Sequence, residues 1–358
     1  MDIDKRIKEL SGSFGNRKVN ILFVSGNHYR SFIQYGIDKF LSKNINAVYG
    51  PACVMCQVTA SYIDLLIEIS HIEKVILTVS PEFLHIKGTS STLEEERKSG
   101  YDVRALYTFQ DILLLAKHKR RHKIVFPAFG YDTAAANTAA AVLQAKVAGL
   151  FNFTVLSEHK SLLKTLNVWL ENGKKIDGII FTPQDIAVTG TKDLEILSAS
   201  REVPVSVCGN ERDDLSEGLY VTLKNIAFKK NIFWKQDKFE ILPQGIEKSQ
   251  LLINEVFDTG DVYYPGLGYI PSGGYSLNAS YMLHNAKKRL NLQNQAEPGN
   301  YKENCICNEI INGNMSPGKC NNFKTVCTPL NPVGGCMASK EGLCNIEYLY
   351  RNQLPYSL

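Results

Sequence analysis

In the first third of the chain, continuous apolar runs alternate with segments whose apolar residues recur at helical spacing. Continuous apolar runs such as VNILFVSG at 19–26 are typical of strands buried on both faces, whereas SYIDLLIEIS at 61–70 has apolar positions at helical spacing. The predicted strands and helices, in chain order, are 19–26, 28–41, 45–50, 61–70, 74–80, 91–99, 103–109 and 111–119. Such alternation predicts a parallel sheet covered by helices.

The same alternation begins again after residue 121. The predicted elements there are 122–130, 132–149, 153–157, 160–172, 177–182 and 203–209. We therefore predict an α/β protein with two Rossmann-like parallel-sheet lobes, the first at 14–121 and the second at 122–257. From 258 to 358 we predict a Gly- and Pro-rich linker, one more helix at 280–291 and a small cysteine-rich domain.

Composition and charge narrow the class of protein. The chain has 358 residues, 44% of them hydrophobic, and a formal net charge of +4, so it can bury a core and has no electrostatic footprint for nucleic acid. The basic run KHKRRHK at 117–123 is typical of a solvated helix end. The N-terminal residues MDIDKRIKEL lack the apolar core of a signal peptide, and no apolar run approaches the roughly 18 residues of a spanning helix. We expect a cytoplasmic protein.

Nine cysteines in such a protein call for an explanation, and six of them lie between 305 and 344. Clustered thiols in a reducing compartment indicate metal binding or redox chemistry. Cys305, Cys320, Cys327 and Cys344 are separated by 14, 6 and 16 residues. Four thiolates on irregular loops suit a [4Fe–4S] cluster, with zinc as the competing metal. The remaining two, at 307 and 336, could form a disulfide, substitute as ligands or simply pack.

A second pair of thiols, Cys53 and Cys56, forms a C-x-x-C motif within GPACVMC at 50–56. Two thiols at this spacing can form a disulfide, share a metal or exchange with another dithiol. Cys56 lies close to the predicted start of the next helix, where the helix dipole would lower the thiol pKa. A purely structural role is credible for one of these cysteines and less so for both.

Three loops follow predicted strands: Ser25 to His28, the segment with Cys53 and Cys56, and 130–133. Ligands of doubly wound sheets bind beyond the carboxyl ends of the strands, so these loops from two lobes are expected to face one cleft.

Single residues in and beyond these loops also admit alternatives. His28 is a candidate ligand or proton carrier, although a lone histidine is more often a structural residue. Asp132 or Thr133 would cap the helix at 132–149 and need have no other role. Cys208, isolated at the end of a strand, is predicted to be a buried apolar residue.

Several motifs together resemble the HypD family of hydrogenase maturation proteins. GPACVMC at 50–56 is similar to the family's GPGCPVC, and AFGYDTAAANTAAAVLQAK at 128–146 to its GFETT-type segment and the following helix. YYPGLGYIPSGGYSL at 263–277 resembles the WRGLGxIPxSG stretch. The cysteine-rich residues 305–344 are similar to the family's cluster-binding region almost position for position.

The resemblance implies a cytosolic assembly factor rather than a conventional enzyme, with two α/β domains and a third domain that carries a [4Fe–4S] cluster. Such a factor works with HypC-like and HypE-like proteins to build the Fe(CN)2CO unit of [NiFe] hydrogenase. The residues expected to act are Cys53, Cys56, His28 and Asp132 as catalytic groups, Ser25, Gly26 and Thr133 in cofactor binding, and Cys305, Cys320, Cys327 and Cys344 as cluster ligands. A transient iron at Cys53 and Cys56 is also expected.

One departure from the family is prominent. The matching stretch reads SGNHYR, so Ser25 stands where the family's C-G-G-H-T-H motif has its cysteine, and a serine hydroxyl is a poor ligand for soft, low-spin iron. The segments TPQDIAV at 182–188 and QDKFEILPQ at 236–244 also match weakly. We expect a working family member whose iron is held by Cys53, Cys56 and a partner's thiol.

Two alternatives stay open beside that expectation. The first is a divergent relative that uses the cluster and dithiol for another metal site or redox partner. The second, a zinc-stabilised binding module, is disfavoured by the close match at 305–344.

Overall fold

The computed structural model describes residues 2–172, 175–292 and 305–351. The strands are β1 (Val19–Phe23), β2 (Ile45–Tyr49), β3 (Val75–Val79), β4 (Val103–Ala105), β5 (Lys123–Ala128), β6 (Phe153–Ser157), β7 (His159–Lys160), β8 (Gly178–Phe181), β9 (Val205–Val207), β10 (Phe233–Lys235), β11 (Phe257–Tyr264) and β12 (Gly268–Leu277).

The helices cover the sheets and connect them. The α-helices are α1 (Ile3–Gly12), α2 (Gly26–Gln34), α3 (Ala60–Ser70), α4 (Leu93–Lys98), α5 (Phe109–His118), α6 (Asp132–Val147), α7 (Leu162–Asn172), α8 (Pro183–Ile186), α9 (Lys192–Arg201), α10 (Arg212–Ala227), α11 (Glu247–Val256), α12 (Ala286–Arg289), α13 (Cys307–Ile311), α14 (Gly335–Ala338) and α15 (Leu343–Tyr350). Short 3-10 helices span Ile37–Phe40, Met55–Gln57, Pro81–His85, Ala279–His284 and Pro317–Lys319.

Strands β1 to β6 and β8 to β10 form two parallel sheets, which confirms the predicted α/β fold. The first sheet has the order β10-β9-β8-β1-β2 and the second the order β4-β3-β5-β6. Strands such as β3, in which every residue is buried, are continuous apolar runs because helices cover both faces of these sheets.

The predicted division of the sheets at residues 121 and 122 is wrong. β1 and β2 pair with β8, β9 and β10, whereas the intervening strands β3 to β6 form the second sheet. Each sheet therefore takes strands from both of the predicted segments, 14–121 and 122–257. Apolar periodicity identifies a strand but not its partner, so a sheet that the chain leaves after two strands and later rejoins is not visible in the pattern.

The segment predicted as a linker is a folded ribbon. β11 and β12 pair in antiparallel fashion, and β12 also pairs with β7, which ties the ribbon to the end of the second sheet. The helix predicted at 280–291 is a 3-10 helix at Ala279–His284 followed by α12. Gly and Pro residues obscured the strands, because both residue types are rare in strand interiors.

The last described segment, residues 305–351, packs against the first sheet's helices and loops. Trp169 of α7 is buried and donates from Nε1 to the carbonyl oxygen of Ile311 at 2.9 Å. The predicted third domain, 258–358, includes 293–304 and 352–358, which lie outside the described residues. Within the described ranges, no helix is both long enough and apolar enough to cross a bilayer.

Candidate thiol and metal site

The C-x-x-C motif lies in a loop, residues 50–58, at the carboxyl edge of the first sheet. The backbone N–H of Gly50 donates to the Phe23 carbonyl at 2.9 Å, and that of Ala52 to the Val24 carbonyl at 3.3 Å. These bonds hold the loop that follows β2 against the loop that follows β1. Cys53 and Cys56 are both buried, with 0% and 1% of their surface exposed.

Two tyrosines from other parts of the chain hold the same loop. The hydroxyl groups of Tyr131, which precedes α6, and of Tyr264, at the end of β11, both donate to the carbonyl oxygen of Pro51, at 2.7 and 2.8 Å. Burial raises the pKa of both phenols well above the usual value, so they stay protonated and act as donors. The loops after β1, β2 and β5 therefore meet at one place, as the strand ends predict.

The C-terminal segment closes over this loop at two glycines. A Cβ atom on Gly335, at the start of α14, would overlap the carbonyl oxygen of Met55, and one on Gly26 would overlap the carbonyl oxygen of Glu341. Backbone can approach this closely only where the side chain is absent. Gly26 therefore serves the packing of the C-terminal segment onto α2.

Glu341 strengthens the same contact. Its carbonyl oxygen accepts a hydrogen bond from the Tyr49 hydroxyl at 2.6 Å, and its carboxylate accepts one from the Asn27 amide. Tyr49 is buried and lies beside Cys53, and burial raises the pKa of its phenol well above the usual value. A neutral hydroxyl group thus stands next to the thiol pair.

Three cysteines from two distant parts of the chain form a compact group of potential metal ligands. The sulfur atoms of Cys56, Cys307 and Cys336 lie within 4.8 Å of one another, and all three residues are buried. The C-x-x-C pair is thereby joined directly to the C-terminal cysteines. The sequence left it open whether Cys307 and Cys336 form a disulfide, bind metal or simply pack. In the structure their sulfur atoms are neighbours of each other and of the Cys56 sulfur.

The four cysteines predicted as cluster ligands line one cavity in the C-terminal segment. Its walls include Ile306, Ile310, Phe323, Val333 and Met337, and its cysteines are Cys305, Cys320, Cys327, Cys336 and Cys344. A largely apolar shell with several thiols fits a soft metal or an iron–sulfur cluster, because thiolates are the ligands these centres prefer. Cys336 belongs both to this cavity and to the group with Cys56.

The thiols differ in pKa according to their surroundings. Burial and contacts with neighbouring thiols raise the pKa of Cys56 well above its usual value. The prediction of a lowered Cys56 pKa is therefore wrong: α3 begins only at Ala60, and desolvation outweighs its dipole. Contacts with Cys307 and Cys344 instead hold the pKa of Cys336 well below its usual range, and the Cys344 backbone N–H donates to the Cys336 sulfur at 3.2 Å.

His28 is fully buried in α2 and faces the end of β9. Its Nε2 lies 2.9 Å from the Cys208 carbonyl and 3.1 Å from the Gly209 carbonyl, so this nitrogen donates and carries the ring hydrogen. Burial lowers the pKa of His28 to about 4, which makes the ring neutral near pH 7. Among the described residues, none hydrogen-bonds its Nδ1. Cys208 itself is fully buried, as predicted.

Asp132 and Thr133 occupy the first turn of α6, but neither caps the helix. The residue at the cap is Tyr131, which makes no side-chain capping bond, so the predicted cap is wrong. The Asp132 carboxylate is buried and accepts hydrogen bonds from the Leu162 backbone N–H at 3.0 Å and the Tyr275 hydroxyl at 2.6 Å. It links α6 to α7 and to β12.

Two further candidates also have defined surroundings. The Thr133 side chain is exposed and donates to the Gln184 carbonyl at 3.2 Å. Ser25 is the residue that precedes α2. It is buried, and its hydroxyl makes no capping bond to the helix. Roles for these residues in catalysis or cofactor binding stay predictions.

The family model described as HypD, the hydrogenase formation hypA family, matches residues 1–351. The chain belongs to this family. It is 32% identical over 338 residues to a hydrogenase expression/formation protein of Methanocaldococcus jannaschii, with 93% of this chain and 92% of that protein covered. It is 29% identical over 341 residues to the hydrogenase maturation factor HypD of Escherichia coli, covering 94% and 90% of the two chains. For HypD of Rhodobacter capsulatus the identity is 27% over 349 residues, covering 96% and 93%.

Membership of the HypD family assigns the chain to the hydrogenase maturation factors and agrees with a thiol-rich metal site.

Sequence reasoning missed four residues of the site: Tyr49, Tyr131, Tyr264 and Glu341. The signals were slight: each tyrosine stands beside or within a glycine-containing motif, and nothing in the pattern indicates that a distant hydroxyl bonds the Pro51 carbonyl. Glu341 is an ordinary charged residue in a polar stretch.

Proposed function

We propose that this protein helps to assemble the Fe(CN)2CO unit of [NiFe] hydrogenase and that it reduces its own C-x-x-C pair through the C-terminal cysteines. The proposal rests on one observation above all others: the sulfur atoms of Cys56, Cys307 and Cys336 lie within 4.8 Å of one another. Thiol–disulfide exchange needs one sulfur to reach another, and this group meets that need without a large movement.

In the proposed arrangement, Cys305, Cys320, Cys327 and Cys344 hold a [4Fe–4S] cluster. The cavity that these residues line is apolar and rich in thiols. Such a cavity suits a [4Fe–4S] cluster better than a zinc ion held by four cysteines on open loops. A cluster held there would supply one-electron redox chemistry next to the sulfur of Cys336.

The exchange itself uses only the chain's own sulfur atoms. The reduced Cys336 thiolate attacks the Cys56 sulfur of a Cys53–Cys56 disulfide, which forms a Cys336–Cys56 bond and releases Cys53 as a thiolate. Cys307 then attacks Cys336, which forms a Cys307–Cys336 disulfide and frees Cys56. Two electrons pass in this way to the C-x-x-C pair, and each released thiolate takes up one proton.

The reduced pair is then ready to hold or act on the iron unit. Cys53 and Cys56 lie where the three loops meet, beside the buried Tyr49 hydroxyl, which stays neutral and donates its hydrogen to the Glu341 carbonyl. Iron bound there is the cargo of the protein, delivered and removed by HypC-like and HypE-like partners in the cytoplasm. The apolar surroundings keep water away from the reacting sulfur atoms.

Anaerobic purification followed by iron, sulfide and thiol analysis tests this function. We expect equal amounts of iron and acid-labile sulfide in the native protein, and a disulfide between Cys53 and Cys56 that a low-potential reductant opens. One zinc per chain with no sulfide, or a Cys53–Cys56 disulfide that no reductant opens while the cluster is present, would overturn it.

A second function is favoured by Ser25. A buried serine at the start of α2 offers no thiolate for iron, so the dithiol and cluster could serve another metal site or redox partner. Infrared spectra separate the two functions. Cyanide and carbon monoxide stretching bands on the protein copurified with HypC-like and HypE-like partners support hydrogenase maturation. Their absence from the wild-type complex and appearance with Ser25→Cys support the second function.

A further inference from the structure

The loop that covers the cluster cavity has an unusual surface. This cover loop, residues 315–331, is exposed at Met315, Val326 and Leu330, and Leu330 is 97% exposed. Residues 312–340 contain three lysines and no Asp or Glu. We propose that the cover loop is the docking surface for a small acidic protein that carries one electron at a time, a proposal that rests on the proposed function.

Exposed residues and cavity-lining residues are sequence neighbours along the cover loop. Cys320, Phe323 and Cys327 point into the cavity, whereas the neighbouring Lys319, Lys324 and Val326 are exposed. A partner bound here would come close to the cluster cysteines, and electron transfer between proteins falls steeply with distance.

Hydrogen bonds hold the loop in a fixed shape. The Cys327 backbone N–H donates to the Asn322 carbonyl at 2.8 Å, and the Asn331 side chain donates to the Val326 carbonyl at 3.0 Å. These bonds bring the apolar tips at 326 and 330 onto one turn. A pre-formed loop loses little conformational freedom when a partner binds.

The lysines add a fixed positive charge. The Lys324 ammonium lies 5.5 Å from the ring centroid of Phe323, a cavity-lining residue, and 5.7 Å from that of Tyr348. The two rings pack edge to face at 6.2 Å, so the cation has an aromatic platform beside the cavity. Lys319 precedes the cavity cysteine Cys320 and is exposed.

These features specify the chemistry of the partner. Reduction of one disulfide takes two electrons and two protons. An iron–sulfur cluster would accept one electron at a time, so two successive one-electron carriers would supply the electrons, while the protons come from solvent. A carrier with a carboxylate-rich face would be attracted by the lysines and held by the apolar tips. Redox encounters of this kind use small interfaces, which a single exposed loop can supply.

The test uses full-length protein carrying its cluster, with a reduced acidic plant-type [2Fe–2S] ferredoxin as probe and a basic c-type cytochrome as the charge control. Carbodiimide, which joins lysine to carboxylate, is expected to cross-link ferredoxin to Lys319 or Lys324, and peptide mass spectrometry reads the linked residues. Binding is measured in parallel by calorimetry at low and high ionic strength.

The variant K319E/K324E is expected to weaken ferredoxin binding about tenfold or more at low salt, and the difference should vanish at high salt. K319R/K324R keeps the charge and should bind as the wild type does. The matched control K117E/K119E makes the same change of charge at the C-terminal end of α5, which covers the second sheet, and should leave binding unchanged. Leu330→Ser should weaken binding at both ionic strengths.

Several results would contradict the proposal that the cover loop is a docking surface. Cross-links confined to lysines elsewhere, or equal loss of binding in K319E/K324E and K117E/K119E, would do so. A concentration-dependent dimer abolished by the same variants, with ferredoxin binding unaffected, would assign the surface to a second copy of the chain. Dithionite tests the proposed function separately, because this small reductant needs no docking surface. If dithionite fails to open the Cys53–Cys56 disulfide, the thiol relay is refuted. The binding data then still decide whether the cover loop is a docking surface.

Discussion

The sulfur atoms of Cys56 and Cys336 lie within 4.8 Å of each other, although one cysteine follows the second strand and the other belongs to the C-terminal segment. The contact depends on Gly335, whose lack of a side chain lets α14 approach the Met55 carbonyl. Cys336 also lines the cavity that holds the predicted cluster ligands. One cysteine therefore connects the two thiol sets.

The first prediction concerns the exchange partner of Cys56. In a Cys53→Ser/Cys307→Ser variant, both thiols that could resolve a mixed disulfide are missing, so mild oxidation should trap a Cys56–Cys336 disulfide. Peptide mass spectrometry without reduction identifies the linked pair. The Cys208→Ser variant serves as control, because Cys208 is buried beside His28 and away from this group. A Cys56 that remains a free thiol in the first variant would contradict the exchange.

The second prediction concerns the glycine contacts. Gly335→Ala should reduce the free energy of unfolding by about 1–3 kcal/mol, because its Cβ would overlap the Met55 carbonyl and force the backbone apart. It should also make Cys53 and Cys56 react faster with iodoacetamide. The matched control is Gly318→Ala, which lies in the same segment and would meet nothing within 4 Å. Equal stability of the two variants would contradict the close approach.

The third prediction concerns the cluster ligands. Serine at Cys320 or Cys327 should remove most of the iron and sulfide from anaerobically purified protein, because a hydroxyl replaces a thiolate at a soft metal. Serine at Cys208 should leave both unchanged. The iron-to-sulfide ratio and the visible absorbance measure the effect. Retention of full iron content in the Cys320 and Cys327 variants would mean that Cys336 or other thiols hold the metal.

The alternation of apolar strands and amphipathic helices was enough to predict the α/β fold and to place Ser25, Cys56 and Asp132 just beyond the ends of strands. It was not enough to predict which strands share a sheet. β1 pairs with β8 across more than a hundred intervening residues, and periodicity carries no information on such long-range partners. The four predicted cluster ligands were chosen from the spacing of the thiols and from the motif resemblance, both of which are local information.

The site also contains contacts that only the folded chain can reveal. The Pro51 carbonyl takes hydrogen bonds from Tyr131 and Tyr264, and the pKa of Cys56 follows its burial rather than the nearby helix. Both effects arise when distant segments exclude water from one place. A sequence pattern reports neither the partner of a hydroxyl nor the depth of a thiol.

The last prediction concerns the pH dependence of stability that arises from His28. Burial lowers the pKa of His28 from 6.5 to about 4, so between these values the unfolded chain binds a proton that the folded chain excludes. The free energy of unfolding must then decrease by about 3 kcal/mol for this one residue as the pH falls from 6.5 towards 4, and His28 causes no further decrease below that range.

His28→Gln keeps a donor for the Cys208 carbonyl but cannot titrate. Denaturant titrations at pH 7.0 and 4.5 should therefore show a smaller pH-dependent loss in His28→Gln than in the wild type, whereas His118→Gln, an exposed position, should behave as the wild type does. Parallel pH profiles for the wild type and His28→Gln would mean that the ring is already protonated in the folded protein, and that it faces the Cys208 and Gly209 carbonyls as a cation.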